Sequence, residues 1–165
     1  MATRRSSKAP SDHLLAPGDP APPFALPADD GTTVSLEGLR GKRVVLYFYP
    51  KDDTPGCTRE ACSFQESLPL FTDAGVVLLG VSRDAAAAHQ RFRKKYDLAF
   101  PLLTDADGAV HRAYGAWGEK TLYGKKTEGV LRTTALIDAQ GKILRVFSPV
   151  KVEGHTDAVL ASLAG

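Results

Sequence analysis

A chain of 165 residues, 43% apolar and 24% charged, has the length of one ordinary domain and a globular rather than a disordered composition. Its net charge of +2 is too small to argue for a nucleic-acid or membrane partner, and no apolar run is long enough to cross a bilayer. The two cysteines, Cys57 and Cys62, are too few and too close together for a disulfide scaffold.

The chain opens MATRRSSKAPSDH, with Arg4, Arg5 and Lys8 but no apolar stretch behind them. This is no secretory signal, and it is shorter than a transit peptide. Residues 1–13 therefore read as a disordered polar tail ahead of one domain over 14–165. The expected compartment is the cytoplasm, where a close cysteine pair is catalytic, redox-sensing or metal-binding rather than structural.

Residues 14–31 contain Pro17, Pro20, Pro22, Pro23 and Pro27, which predicts extended surface chain anchored by Phe24 and Leu26. Asp29-Asp30-Gly31 marks a turn across which Thr32-Thr33-Val34 can pair back. Val44 to Tyr49 and Val76 to Val81 are continuous apolar runs that suit strands buried on both faces. Between them Ala61, Phe64, Leu68 and Phe71 recur at helical spacing, and Pro69 should kink that helix or open a second piece. The resulting β–α–β unit predicts parallel neighbouring strands.

Asp84 is a candidate cap for a helix from Ala85 to Tyr96, with His89, Phe92 and Tyr96 on one side. A short strand follows at Phe100 to Leu103, then a short helix with Val110 and Tyr114, capped by Thr104 or Asp105. Residues 115–129 read as a long loop in which Lys120, Lys125 and Lys126 are solvated. Leu131 to Ile137 and Lys142 to Phe147 flank Asp138-Ala139-Gln140-Gly141 as a hairpin, and a last helix runs from about Thr156 to Leu163. The sum is an α/β fold: a mixed sheet covered by helices, without repeats or a domain linker.

Chemistry concentrates in YPKDDTPGCTREAC, residues 49 to 62. The segment begins where a buried strand ends and finishes inside a helix, the edge of an α/β sheet where sites gather. Cys57 falls at the helix start, where free N–H groups and the positive end of the helix dipole favour an anion, so it is a candidate nucleophile. Cys62 lies five residues on. In an intact helix the two Cα atoms would be about 8–9 Å apart, beyond the roughly 7 Å that a disulfide tolerates. Either the two never pair, or the first turns unwind when Cys57 is oxidised. A zinc site would need more ligands than the scattered His13, His89, His111 and His155 supply. A thioredoxin-type dithiol would need C-x-x-C. Asp105-Ala106-Asp107-Gly108 lacks the remaining ligands of a calcium loop.

The segment YPKDDTPGCTREAC resembles the active-site segment of peroxiredoxins, and within them the bacterioferritin comigratory protein and peroxiredoxin Q group. Pro50, Thr54 and Cys57 meet the pattern P-x-x-x-T-x-x-C, and Cys62 matches a second cysteine found in many members. PGDPAPPFALPADDG, AWGEKTLYGKKTEGVLRTT and IDAQGKI extend the likeness from about Ala16 to the C-terminus. The resemblance implies a thioredoxin-like fold with an N-terminal hairpin added. It implies a thiol peroxidase acting on hydrogen peroxide and alkyl hydroperoxides in antioxidant defence, without metal or organic cofactor. Cys57 corresponds to the peroxidatic cysteine and Cys62 to the resolving cysteine, which form an intramolecular disulfide. Thr54 corresponds to the threonine whose hydroxyl bonds thiolate and peroxide, and Pro50 to the proline that shields the thiolate. Arg132 corresponds to the arginine reaching in from a neighbouring strand, and Glu60 to the glutamate that holds it. Thioredoxin or glutaredoxin is the implied reductant, and monomer the implied state. The competing expectation is a redox-controlled binding protein or holdase chaperone without useful turnover.

Overall fold

The structure, a computed structural model, describes residues 15–164; the tail expected over 1–13 lies outside them. The proline-rich lead ends in a hairpin, β1 (Ala25–Pro27) against β2 (Thr33–Ser35), with Leu26 opposite Val34. The turn follows from Asp30 and Gly31. The Asp30 carboxylate accepts from the backbone N–H and the hydroxyl of Thr32, at 2.9 and 2.6 Å, and Gly31 takes a φ of +91°.

The expected β–α–β order then unfolds as β3 (Arg43–Phe48), α1 (Pro55–Glu66), α2 (Leu68–Asp73) and β4 (Val76–Ser82), followed by α3 (Ala86–Tyr96) and β5 (Leu102–Thr104). β3 runs parallel to β4, and β4 parallel to β5. Pro69 sits in the first turn of α2, where its missing N–H is not needed, so it opens a second helix rather than kinking one. The chain closes with α4 (Ala109–Ala113), β6 (Trp117–Leu122), β7 (Lys125–Val130), β8 (Thr133–Ile137), β9 (Ile143–Phe147) and α5 (His155–Ala164). The main sheet has the order β5-β4-β3-β8-β9, with β8 antiparallel to both its neighbours.

Alternation along β3 divides the interior in two. Val44, Leu46 and Phe48 pack with Ala21, Phe24, Leu26 and Tyr114. Val45, Tyr47 and Tyr49 pack with Ala61 and Phe64 of α1, Phe71 of α2, Phe92 of α3, and Val159 and Leu163 of α5. A strand covered on both faces needs apolar side chains at every position, which is why this one reads as an unbroken run.

Residues 115–129, expected as a loop, are mostly a hairpin: β6 pairs with β7 from Trp117–Val130 to Leu122–Lys125. Its two-residue turn, Tyr123-Gly124, has φ of +52° and +78°, the sign that suits the twist of a tight hairpin. The guanidinium groups of Arg83 and Arg112 both lie over the Trp117 ring, 5.1 and 4.9 Å from its centroid. The expected caps also differ. Ala85, not Asp84, is the N-cap of α3, because the Asp84 carboxylate accepts from Ser82 Oγ at 2.8 Å and from the Asp52 N–H at 2.9 Å. Gly108 is the N-cap of α4. Thr104 donates to the Asp84 carbonyl and is no cap, while the Asp105 carboxylate, though outside the N-cap position, does accept from the His111 N–H in the first turn as expected. The strand expected from Leu131 begins at Thr133. The Leu131 N–H goes to the Ala116 carbonyl at 2.7 Å and the Arg132 carbonyl accepts from Val150 at 2.9 Å, so these two residues form a joint between β7 and β8.

Candidate active site

Thr54 is the N-cap of α1, Pro55 begins the helix, and Cys57 completes its first turn. The first helical bond runs from the Thr58 N–H to the Thr54 carbonyl at 2.8 Å. The Gly56 and Cys57 amides therefore precede the hydrogen-bond ladder and are free to meet an anion. Cys57 is only 2% exposed and packs against the core that contains Tyr47, Tyr49 and Phe64.

Arg132 enters from the joint between β7 and β8. Its Nη2 donates to Cys57 Sγ at 3.4 Å and its Nη1 to Glu60 Oε1 at 2.6 Å. Glu60 is one turn along α1 from Cys57, so a single guanidinium spans both. Burial alone would lower the arginine's pKa, but the charges of Glu60 and Cys57 raise it, keeping a cation beside the sulfur. Burial pushes the Glu60 carboxyl up to about 7, and the pull of Arg132 offsets only part of that. Its second oxygen, Oε2, is buried and has no hydrogen-bond partner among the described residues. Gly56 lets Arg132 come close: a Cβ there would stand 3.3 Å from Arg132 Nη2, so the guanidinium would have to shift by a few tenths of an ångström.

The Thr54 hydroxyl donates to the Lys51 carbonyl at 2.9 Å. Its proton is thereby committed, and its oxygen is left as an acceptor for a donor arriving at the helix start. Pro50 lies half-buried two residues beyond β3, where the chain turns toward that start. Between them stands Asp52, a buried residue that the sequence did not single out. It accepts from Tyr49 Oη at 2.6 Å and meets Nδ1 of the buried His89 at 2.7 Å.

Cys62 is half-buried on α1 and opens onto a cleft of about 500 Å³ lined by Arg59, Ser63, Glu66, Val152, Glu153 and Gly154. Burial, and then the charge of Glu66, push its thiol above the usual range. Both cysteines are free. Since both lie within an unbroken α1, helix geometry keeps their Cα atoms about 8–9 Å apart. The structure thus brings Cys57, Glu60, Arg132 and Thr54 to one helix end and sets Cys62 apart on the same helix. Among the described residues no three His, Cys, Asp or Glu side chains group to hold a metal ion, and no helix is long and apolar enough to cross a membrane.

A buried cysteine at a helix start, touched by an arginine that a buried glutamate anchors, gathers amide donors and a cation around one point, an arrangement that can stabilise negative charge developing there. Comparison with known proteins agrees. The AhpC/TSA family model matches residues 17–146. A Bcp-type peroxiredoxin of Coxiella burnetii is 51% identical over 146 residues, covering 88% of this chain and 97% of the relative. Peroxiredoxin Bcp of Escherichia coli K12 is 46% identical over 146 residues, covering 88% and 94%. Bacterioferritin comigratory protein of Xanthomonas campestris, solved as trapped intermediate and ligand complexes that bear on its alkyl peroxide reduction activity, superposes with a TM-score of 0.81 at 44% identity, covering 86% and 90%. The mixed sheet and its helices are the thioredoxin-like fold of these peroxiredoxins. The chain belongs to the AhpC/TSA family, in its bacterioferritin comigratory protein and peroxiredoxin Q group, and is a thiol peroxidase.

Proposed function

We propose that Cys57 is the sulfur that reacts and Cys62 the sulfur that resolves the product. The thiolate of Cys57 attacks one peroxide oxygen and the O–O bond breaks. Sulfur is oxidised to a sulfenic acid, and the other oxygen leaves as hydroxide or alkoxide, which takes up a proton to become water or an alcohol. Arg132 and the free amides of the first turn stabilise the charge passing onto the peroxide, while the Thr54 oxygen accepts from the peroxide O–H and fixes its direction. Pro50 keeps water from the sulfur, and Glu60 aims Arg132. The first turns of α1 then unwind. Cys62 condenses with the sulfenic acid, a disulfide forms and water leaves. An external dithiol, thioredoxin or glutaredoxin by family likeness, reduces that disulfide by exchange. The substrates are hydrogen peroxide and, by extension from the Xanthomonas protein, alkyl hydroperoxides. The working form is a cytoplasmic monomer made of one domain from residue 14 onward.

The observation that carries this reading is the 3.4 Å contact between Arg132 Nη2 and Cys57 Sγ at the open end of α1. One equivalent of hydrogen peroxide, followed by intact mass and linkage mapping, tests it. The expected product has lost two hydrogens and joins Cys57 to Cys62 within one chain. Cys57→Ser should leave the peroxide untouched. Cys62→Ser should consume about one equivalent and stop as a sulfenic or more oxidised acid. Oxidation of Cys57 at the rate of a free thiol would sink the assignment.

A further inference from the structure

The loop between β3 and α1 is held more tightly than a connection of this length requires. Asp52 is its buried centre. One carboxylate oxygen accepts from Tyr49 Oη at 2.6 Å and the other meets His89 Nδ1 at 2.7 Å, while the Asp52 N–H donates to Asp84 Oδ2 at 2.9 Å. His89 is itself anchored, its Nε2 facing the Leu103 carbonyl at 3.1 Å. The next residue, Asp53, takes a left-handed φ of +61°, which costs energy for a residue with a Cβ. Lys95 and Tyr96 of α3 hold its carboxylate there, at 3.0 and 2.9 Å. Asp84, just beyond β4, and His89, Lys95 and Tyr96 of α3 thus converge on Asp52 and Asp53, with β5 anchoring His89.

What this clamp fixes is the peptide immediately before it. The Lys51 carbonyl is the acceptor of the Thr54 hydroxyl. An acceptor held in place sets the rotor of that hydroxyl, and therefore the direction in which its oxygen offers lone pairs at the start of α1. We propose that Asp52 and His89 are positioning residues for peroxide reduction: through the Lys51 carbonyl they lock the Thr54 hydroxyl in the orientation that receives the peroxide beside Cys57. The inference rests on the role given to Thr54 above. A buried Asp–His pair that served only the fold would act on everything Cys57 does. One that works through Thr54 acts on peroxide alone.

The test is a double-mutant cycle with two reactions of the same sulfur. Cys57 oxidation by hydrogen peroxide is followed by stopped flow, and alkylation of Cys57 by iodoacetamide is followed in the same variants, all in a Cys62→Ser background. Because small misplacements of reacting groups are expensive, Asp52→Ala is expected to slow oxidation about tenfold while alkylation stays within about twofold. In a Thr54→Val background the same change should have no further effect on oxidation, since coupled residues are not additive. Tyr49→Phe, which keeps the ring and removes one hydrogen bond to Asp52, is the milder probe should Asp52→Ala fail to fold. Its expected loss is about threefold, again vanishing with Thr54→Val. If Thr54→Val is costly and the losses multiply, or if alkylation falls in step with oxidation, the positioning role is overturned and the role of Thr54 stands. If Thr54→Val alone leaves oxidation unchanged, the role of Thr54 falls and the inference falls with it.

Discussion

Cys57 and Cys62 stand five residues apart on α1, one in its first turn and the other in its second half. Cys57 is buried, faces unpaired amides and lies 3.4 Å from a guanidinium. Cys62 is half-buried, has its amide inside the helical ladder, and shares a cleft with Glu66 and Glu153. One sulfur meets donors and a cation; at the other, burial and then the Glu66 carboxylate disfavour the ionised form. The contrast teaches that one helix can give two identical side chains opposite surroundings within two turns, a difference that exposure alone does not reveal.

Removing the cation is the strongest way to break the contrast. Arg132→Gln takes the charged donor from Cys57 and leaves Cys62 as it was. Loss of one donor aimed at developing charge typically costs 10²–10³ in rate, so oxidation of Cys57 by hydrogen peroxide should fall by roughly that factor. Stopped-flow oxidation of the Cys62→Ser protein with and without Arg132 measures it, and a loss below about threefold would reduce Arg132 to a bystander.

The next effect concerns the cost of burying the arginine's anchor. The Glu60 carboxyl is raised from 4.5 to about 7, so its contribution to stability is present below pH 4.5 and is lost as pH rises through about 7. His155 has the opposite sign: burial, and then Arg132, lower it from 6.5 to about 4, so its contribution is present above pH 6.5 and is lost as pH falls through about 4. Glu60→Gln removes the first trend and keeps the second. The stability of this variant relative to the wild type should therefore climb between pH 4.5 and 7, by on the order of 1–3 kcal/mol. Urea unfolding at several pH values measures the difference, and a flat difference would mean that burial does not dominate at Glu60.

The division between the two cysteines also marks what the amino-acid sequence discloses. Cys57 at a helix start was legible because β3 is an unbroken apolar run and Thr54-Pro55 opens a helix; both signals are local. β4, α3, the β8–β9 hairpin and α5 were legible for the same reason. The β6–β7 hairpin was not. Most of its side chains are polar and exposed, so no alternation marks it, and Tyr at a left-handed turn position is not a usual signal. His89 was placed on the right face of α3, but its partner Asp52 is 37 residues away and no spacing rule links them. Asp84 looked like a cap because of where it stands in the sequence. The fold gives its carboxylate to Ser82 and Asp52 instead.

A third effect tests how Cys62 leaves its place. Ser63, beside it, shares a 2.7 Å hydroxyl contact with Thr156 on α5. If the two sulfurs meet by unwinding α1 as far as Cys62 and Ser63, this contact resists the motion. A single hydrogen bond of this kind is worth about 1 kcal/mol. Ser63→Ala should therefore lower stability to urea by about that much and speed disulfide formation after Cys57 oxidation by about fivefold, less if the contact survives part of the motion. Rapid-quench mass analysis after a peroxide pulse separates the two steps. Unchanged disulfide formation in a destabilised variant would mean that Ser63 stays docked while Cys62 moves.

The smallest effect lies on the far side of the comparison. Glu66 stands one turn beyond Cys62 and is exposed, so water and salt screen its charge. Burial is the larger cause of the raised thiol and survives any change at Glu66. Glu66→Gln in a Cys57→Ser background should therefore speed alkylation of Cys62 at pH 8 by only about twofold at low salt. The gain should shrink as ionic strength rises and the Debye length shortens. A gain that ignored salt would have to come from a change in the cleft itself, since a charge effect at an exposed carboxylate cannot persist once counterions surround it.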